Sequence, residues 1–346
     1  MRAAVLVRFG GPDAVELRSV PDPRPGPGQV RVRVLAAATN NTDLWTREGA
    51  YGLPGDPDAL AGWKGEIDFP RIQGADVAGV VDTVGEGADE RLLGRRVLLD
   101  PATFEGGDGD EEPRLVAVMG SEEDGGFAEY VTVAAERAHD MSDSPLDDAQ
   151  LACLPIAYGT AMGMLERGGL RAGETVLITG ASGGVGLAAV QLAAARGCRV
   201  IAQTSEGKEE MVREAGADRT VDRTAGDLAE RVPDGLDAVI DIVGGPNVDK
   251  LLPALRPGAR WVIAGAVAGP VIELDLRRLY LHNLRLIGST MHTPAHFAAL
   301  AEQARTGAIA PRVAARHSLE DIHAAHAALS ERKHVGKIVV VPDAAR

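Results

Sequence analysis

The sequence predicts an α/β protein in two parts, a doubly wound parallel sheet joined to a small β-barrel. Three observations predict it. Strand-like alternation fills the first third of the chain; a glycine-rich turn joins an apolar strand to a helix in "LITGASGGVGLAAVQ", Leu177–Gln191; and from about Glu174 onward short apolar runs alternate with helical segments, as in a sheet buried on both faces. With 346 residues, 45% of them hydrophobic, the chain has material for two cores.

The elements follow in order. "RAAVLV" opens a strand, "PDPRPGPG" breaks it, and "QVRVRVLAAA" from Gln29 alternates valine with polar residues; "DVAGVVDTVG" and "GRRVLLD" continue the β pattern. These make the first third of the chain β-rich, as in a small barrel. The stretch "TFEGGDGDEEPRLVAVMGSEED", Thr103–Asp124, is crowded with acids and glycines and reads as a solvated surface excursion. A doubly wound sheet is expected from about Glu174, in "ETVLITG", "CRVIAQT", "DRTVD", "LDAVIDIVG", "ARWVIAG" and "LRLIGST", with helices at "KEEMVREAG" and "NVDKLLPALRPG" among them. The remainder, 292–346, supplies the helix "PAHFAALAEQARTG", a strand near "RVAARHSL", the helix "LEDIHAAHAALSERK" with Ser318 as its cap, and a last strand, "GKIVVVP", that can return to the barrel.

A formal charge of −14 opposes binding to phosphate backbones and anionic lipid surfaces, so the expected partner is a small molecule rather than nucleic acid or membrane. No cationic segment leads into an apolar core at the start, and no apolar run nears the roughly 20 residues that span a bilayer, so a cytoplasmic location is expected. The two cysteines, Cys153 and Cys198, form no CxxC pair and are expected to be core residues.

Gly180, Gly183 and Gly186 stand three apart where a strand meets a helix, with Ser182, Gly184 and Val185 between them. A helix start carries unpaired N–H groups and partial positive charge, and glycine lets a large anion reach them, so this turn predicts a pyrophosphate site. Val185, Ala189 and Leu192 are expected to share one face of that helix. In such a unit the next strand ends beside the adenosine ribose, where a carboxylate would select NAD. That end falls at Thr204 and carries no acid. Thr204, Ser205 and Lys208 offer hydroxyls and a cation there, which favours NADP(H), while Glu206 weighs against it.

The ordered motifs "PGPGQVRVRVLAAATNNTD", "FPRIQGADVAGVVDTVGEGA", "DGGFAEYVTV", "LPIAYGTAMGML", "GETVLITGASGGVG" and "HVGKIVVV" resemble the medium-chain dehydrogenase/reductase superfamily, and within it the zinc-free quinone oxidoreductase-like branch. The resemblance implies a GroES-like barrel of residues 1–150 completed by 292–346, an inserted Rossmann domain of residues 151–291, and a cleft for nicotinamide and substrate. Where zinc alcohol dehydrogenases of the superfamily place cysteine, histidine and cysteine, this chain aligns Asn40, Ala75 and Ile156, which supply no tetrahedral zinc set. No metal site is therefore expected. The pairs His292/His296 and His323/His326 have chelating spacings, but Pro294 interrupts the first and the second lacks a third ligand; His292 is also a candidate pocket residue.

Without a metal, an isolated ketone leaves full alkoxide charge on one oxygen, whereas a quinone or α,β-unsaturated carbonyl spreads it by conjugation and needs only hydrogen-bond donors. Asn40 and Tyr51 are the local donors, and "NNTDLWTREGAY" follows the spacing of quinone and enoyl-thioester reductases, whose proton donor Tyr51 resembles. An aromatic wall is the other reading of Tyr51. Asp43 is expected to bond to the barrel backbone, Asp76 to serve the domain interface, and Asp241 to be structural. Thr160 matches a threonine near the nicotinamide, Ala264, Gly265 and Ala266 should meet its carboxamide, and Gly244 and Gly245 would let the cofactor lie close. The expected activity is NADPH-dependent reduction of a quinone or activated alkene. A metal-free carbonyl reductase or alcohol dehydrogenase, and a non-catalytic NADPH-binding scaffold, remain as rivals. "WVIAGAVAG" is expected to be an edge strand that pairs two copies into a homodimer.

Overall fold

The computed structural model describes residues 1–51, 62–107, 112–224, 228–245 and 250–343. Two compact units form, Met1–Ile156 with Thr293–Arg346, and Ala157–His292.

The first unit takes its shape from valine alternation. β1 (Arg2–Leu6) and β2 (Val15–Ser19) pair antiparallel; β3 (Gln29–Ala38) buries Val30, Val32 and Val34 and sends Arg31 outward, where it grips Asp82 through two bonds of 2.9 and 3.0 Å. α1 (Asn41–Glu48) follows, ended by Gly49 at φ 67°. Then come β4 (Arg71–Ile72), β5 (Asp76–Val84), β6 (Arg96–Leu99), β7 (Ala102–Glu105), β8 (Arg114–Val118), β9 (Tyr130–Ala134) and β10 (Ala138–Asp140). β3 pairs antiparallel with both β5 and β9. α2 (Asp148–Ala152) packs on β3 and β5, which carries this unit to Ile156, past the residue 150 expected from sequence.

The described residues of the acidic stretch from Thr103 are more ordered than a solvated excursion. β7 and β8 pair antiparallel, Leu115, Val118 and Met119 are buried, and the acids serve as ties: Glu123 accepts bonds from Thr103 (2.8 Å) and Arg137 (2.7 Å), and Glu122 from the Val118 N–H (3.0 Å). Counting acids misses this because each tie joins residues that are not neighbours.

In the second unit, α3 (Pro155–Arg167) leads to β11 (Thr175–Ile178), α4 (Gly184–Ala195), β12 (Arg199–Thr204), α5 (Glu209–Glu214), β13 (Arg219–Asp222), β14 (Leu236–Asp241), β15 (Leu255–Ile263), α6 (Leu276–Tyr280) and β16 (Arg285–Gly288). The six strands are parallel in the order β13-β12-β11-β14-β15-β16, the doubly wound Rossmann order. In α4, Leu187, Ala188, Ala189, Val190, Leu192 and Ala193 are all buried while Val185 is only half-buried, the pattern of a helix covered nearly all round. The edge strand differs from expectation. "WVIAG" lies largely in β15, an interior strand whose Trp261 is buried; the open edge is β16, because "LRLIG" adds one more strand beyond it.

Thr293 caps α7 (Pro294–Thr306) reciprocally with His296, whose Nδ1 accepts the Thr293 N–H at 3.2 Å, so His296 has a capping role. β17 (Val313–Ser318) ends at Ser318, which caps a 3-10 turn, Leu319–Asp321, rather than α8 (Ile322–Glu331) itself. β18 (Lys337–Val341) then pairs with β17 and, antiparallel, with β3, so the last strand does return to the barrel. Cys153 and Cys198 are buried free thiols, burial pushing Cys153 up to about 12. Among the described residues no helix is long and apolar enough to cross a membrane.

Candidate active site

Asn40 stands at the junction of β3 and α1, as the N-cap of the helix. Asp43, one turn in, accepts the Asn40 N–H at 2.6 Å, the backbone role expected of it. Burial pushes the Asp43 carboxyl up to about 7, against the Asn40 N–H and the Lys337 charge, which favour ionisation. Lys337, the first residue of β18, enters the same place. Its ammonium donates to the Thr39 carbonyl at 2.6 Å and to Asn40 Oδ1, and pairs with Asp76 Oδ2 at 2.9 Å. Asp76 is fully buried, and its other oxygen accepts the Ile156 N–H at 2.7 Å. Asp76 thus ties β5 and β18 to the start of α3, at the residue where the first unit ends. The three positions that the resemblance aligns with zinc ligands present an amide oxygen bound to an ammonium, a buried methyl at Ala75, and Ile156, whose N–H is spent on Asp76. That set does not fit a tetrahedral zinc ion. Among the described residues, no group of three His, Cys, Asp or Glu is placed to hold a metal.

Tyr51 lies at the end of α1. Its ring stacks on Trp63 (centroids 5.9 Å, 5°) and meets Trp45 edge-on (6.0 Å, 78°), while its hydroxyl donates to Thr42 at 2.7 Å. Burial pushes the phenol above its usual range, so Tyr51 is built to donate a hydrogen bond more than to release a proton. The acidic stretch braces this wall: Ser121 Oγ accepts the Trp63 N–H at 2.9 Å and Glu122 the Lys64 N–H at 2.7 Å. Residues 52–61, which follow Tyr51, lie outside the described residues.

In the second unit the glycine turn has the geometry its spacing predicts. Gly180 sits at φ 60°; a Cβ on Gly186 would lie 2.1 Å from the Gly180 oxygen, so only glycine lets α4 start this close to β11. Gly183 is exposed and caps α4 without any side chain bonding the helix start, with Gly184 opening the helix and Ser182 and Val185 half-buried beside it. Thr204 ends β12 with a buried Oγ1 that lacks a protein partner. Ser205 and Lys208 follow, both half-buried, and burial together with the charge of Arg223 lowers the Lys208 ammonium. Arg223, whose N–H bonds to the Thr204 carbonyl at 2.9 Å, is a second cation that the spacing search missed because it arrives from the neighbouring strand β13. Asp222 is aligned with Thr204, but its carboxylate is turned to Thr224.

Gly244 (φ 62°) and Gly245 (φ 78°) follow β14, and Ala264, Gly265 and Ala266 follow β15; a Cβ on Gly265 would lie 2.4 Å from the Ile242 oxygen, so the two loops run against each other. Asp241 is structural: it accepts bonds from Thr179 (2.6 Å), Trp261 (3.0 Å) and the N–H groups of Val243 and Gly244 (3.0 Å each). Thr160 is buried in α3, and His292 is wholly buried, packed so closely on Gly159 that a Cβ there would sit 2.4 Å from its ring. Residues 180–186, 204–208, 244 and 264–266 therefore gather at the carboxyl ends of β11, β12, β14 and β15. The bare helix start, the orphaned Thr204 hydroxyl and the glycine-lined loops fit a dinucleotide.

The family model for the alcohol dehydrogenase GroES-like domain matches residues 26–143, and that for zinc-binding dehydrogenase matches residues 184–306. An acryloyl-coenzyme A reductase of Sulfurisphaera tokodaii is 30% identical over 99% of this chain and 100% of its own, and a human quinone oxidoreductase 29% identical over 94% and 93%. A crystal structure of a candidate alcohol dehydrogenase from Sinorhizobium meliloti superposes with a TM-score of 0.92 at 43% identity, covering 99% of this chain and 97% of that one.

Proposed function

Proceeding from the premise that this chain belongs to the medium-chain dehydrogenase/reductase superfamily and is an oxidoreductase of that type, whose members bind a nicotinamide cofactor, we propose that it is a zinc-independent, NADPH-dependent reductase of a quinone or an activated C=C bond. The observation that carries this reading is the Lys337-bound Asn40 amide, with Asp76 and Ile156 spent on each other, where a zinc dehydrogenase needs thiolate and imidazole. Names among the relatives, acryloyl-coenzyme A reductase and quinone oxidoreductase, support the acceptor class.

A bound nicotinamide dinucleotide supplies the hydride. The chain's own groups divide the remaining work. The turn at Gly180–Gly186 receives the pyrophosphate on bare N–H groups. Thr204, Ser205, Lys208 and Arg223 hold a 2′-phosphate with hydroxyls and two cations. Ala264, Gly265 and Ala266 offer backbone to the carboxamide, and Gly244 leaves space for it. Asn40 Nδ2–H donates to the acceptor oxygen as charge develops, and the Tyr51 ring walls the pocket while its hydroxyl shares a hydrogen-bond chain with Thr42. Conjugation in the acceptor carries the rest of the charge.

A panel of quinones, enones, enoyl thioesters and aldehydes, followed by NADPH absorbance and product analysis, tests this. Turnover of the conjugated acceptors supports it; oxidation of NADPH with aldehydes alone establishes the carbonyl-reductase reading, which the likeness to an alcohol dehydrogenase favours. Binding of NADPH without turnover anywhere in the panel establishes a scaffold. We further propose a cytoplasmic homodimer joined at β16, an open edge with Leu286, Leu276, Tyr280 and Leu281 exposed around it; light scattering that reports a monomer refutes the dimer.

A further inference from the structure

We propose that Lys337 is a positioning residue that fixes the side-chain amide of Asn40 as a hydrogen-bond donor. The proposal rests on the reading of Asn40 as the group that meets the acceptor oxygen.

An asparagine amide can present either end. A primary ammonium offers three N–H donors and accepts nothing, so any amide it touches must turn its oxygen toward it. Lys337 donates to two acceptors, the Thr39 carbonyl and Asn40 Oδ1, and forms an ion pair with Asp76 Oδ2. Lys337 is 5% exposed, Asp76 0% and Asn40 7%, so no bulk water is at hand to replace a lost bond. A flipped amide would set its NH2 against the ammonium inside a desolvated pocket, losing a charge-assisted bond and gaining repulsion. The Nδ2 end is therefore left as the working end, with only a 3.5 Å approach to the Ala38 carbonyl. Asp43 secures the same residue by its backbone N–H, so Asn40 is held at two points. The ammonium also draws electron density from the amide, which strengthens the N–H as a donor when negative charge gathers on a bound oxygen.

A clamp alone would also join β18 to β3, so the test separates orientation from anchoring. Four variants are compared: K337M/D76N, which removes both charges of the buried pair; N40A; the triple variant; and N40D, which keeps an acceptor for Lys337 but has no donor. The readouts are kcat and KM for a quinone or enone, the NADPH dissociation constant, melting by circular dichroism, and the Asn40 side-chain amide signal in 15N-labelled protein, assigned by its loss in N40A.

The expected result is a fall in kcat of about 10- to 100-fold in K337M/D76N, in N40A and in N40D alike, the range seen when an oriented donor or its support is lost. NADPH binding stays unchanged, the triple variant is no worse than N40A, and the Asn40 amide signal moves in K337M/D76N. Wild-type kcat in K337M/D76N with N40A impaired overturns the proposal and leaves Asn40's own role standing. Wild-type kcat in N40A, or no turnover by the wild type with any acceptor, overturns both. A triple variant whose losses multiply also overturns the proposal, since Lys337 would then act apart from Asn40. If K337M/D76N does not fold, N40D decides: full kcat with its ion pair kept shows that no donor at residue 40 was needed.

Discussion

The candidate sites of the two units are built from opposite materials. The nucleotide turn of the second unit is nearly all backbone: Gly180, Gly183 and Gly186 matter for atoms they lack, and a fifteen-residue stretch contains the whole device. The Asn40 centre of the first unit is nearly all side chain, a buried lysine, aspartate and amide in which each group is tolerable only because the others are there. Backbone sites fail by collision. Buried charge sites fail by desertion, when one partner leaves and another stays charged without water.

That contrast can be broken most forcefully at Asp76. Asp76→Ala leaves the Lys337 ammonium buried without its counter-ion, and a loss of about 3–5 kcal/mol is expected in denaturant unfolding of the first unit; a loss under about 1 kcal/mol would mean that Lys337 escapes to water. Next in size is Gly186→Val, whose side chain would meet the Gly180 oxygen; about 3 kcal/mol of overpacking is expected, together with loss of NADPH binding by calorimetry.

A third prediction concerns pH. His326 is buried against Phe127, with neither ring nitrogen bonded, and burial plus the charge of Arg47 holds it down to about 4. The unfolded chain therefore binds the extra proton first, and stability falls as pH drops from about 6.5 to 4, by about 2–3 kcal/mol. Asp43 works the other way: with its carboxyl raised to about 7, the folded protein holds the extra proton, and stability falls as pH rises from about 4 to 7. Urea titrations across this range should show His326→Leu unmasking the Asp43 slope and Asp43→Asn unmasking the His326 slope; curves parallel to wild type in both variants would refute the assignment. The smallest effect is expected at the ribose end, where K208A/R223A should weaken NADPH binding about 10-fold, or about 1.4 kcal/mol, and leave NADH unchanged. Equal weakening of both would remove the case for a 2′-phosphate site.

The same contrast explains what the sequence revealed. The Rossmann order, the barrel strands and the glycine turn were legible because periodicity and motif act over short spans. Asn40 and Tyr51 could be nominated from "NNTDLWTREGAY", but Lys337 could not be tied to them: it stands 297 residues from Asn40, and a lysine before "IVVV" reads as the polar start of a strand. Its signal was the cost of burying a charge beside an apolar run, which asks for a partner. Arg223 escaped for a related reason, since it reaches Thr204 across the sheet. The edge assigned to "WVIAGAVAG" went astray because periodicity does not report how many neighbours an element will have.

β18 also imposes an order of events on synthesis. The middle unit draws its sheet from one continuous stretch of chain and can settle while translation proceeds. The barrel cannot: Asp76 emerges early and must wait for residue 337 before its charge is answered, so the chemistry-bearing end of the first unit is assembled last, by the strand the ribosome makes last among those described.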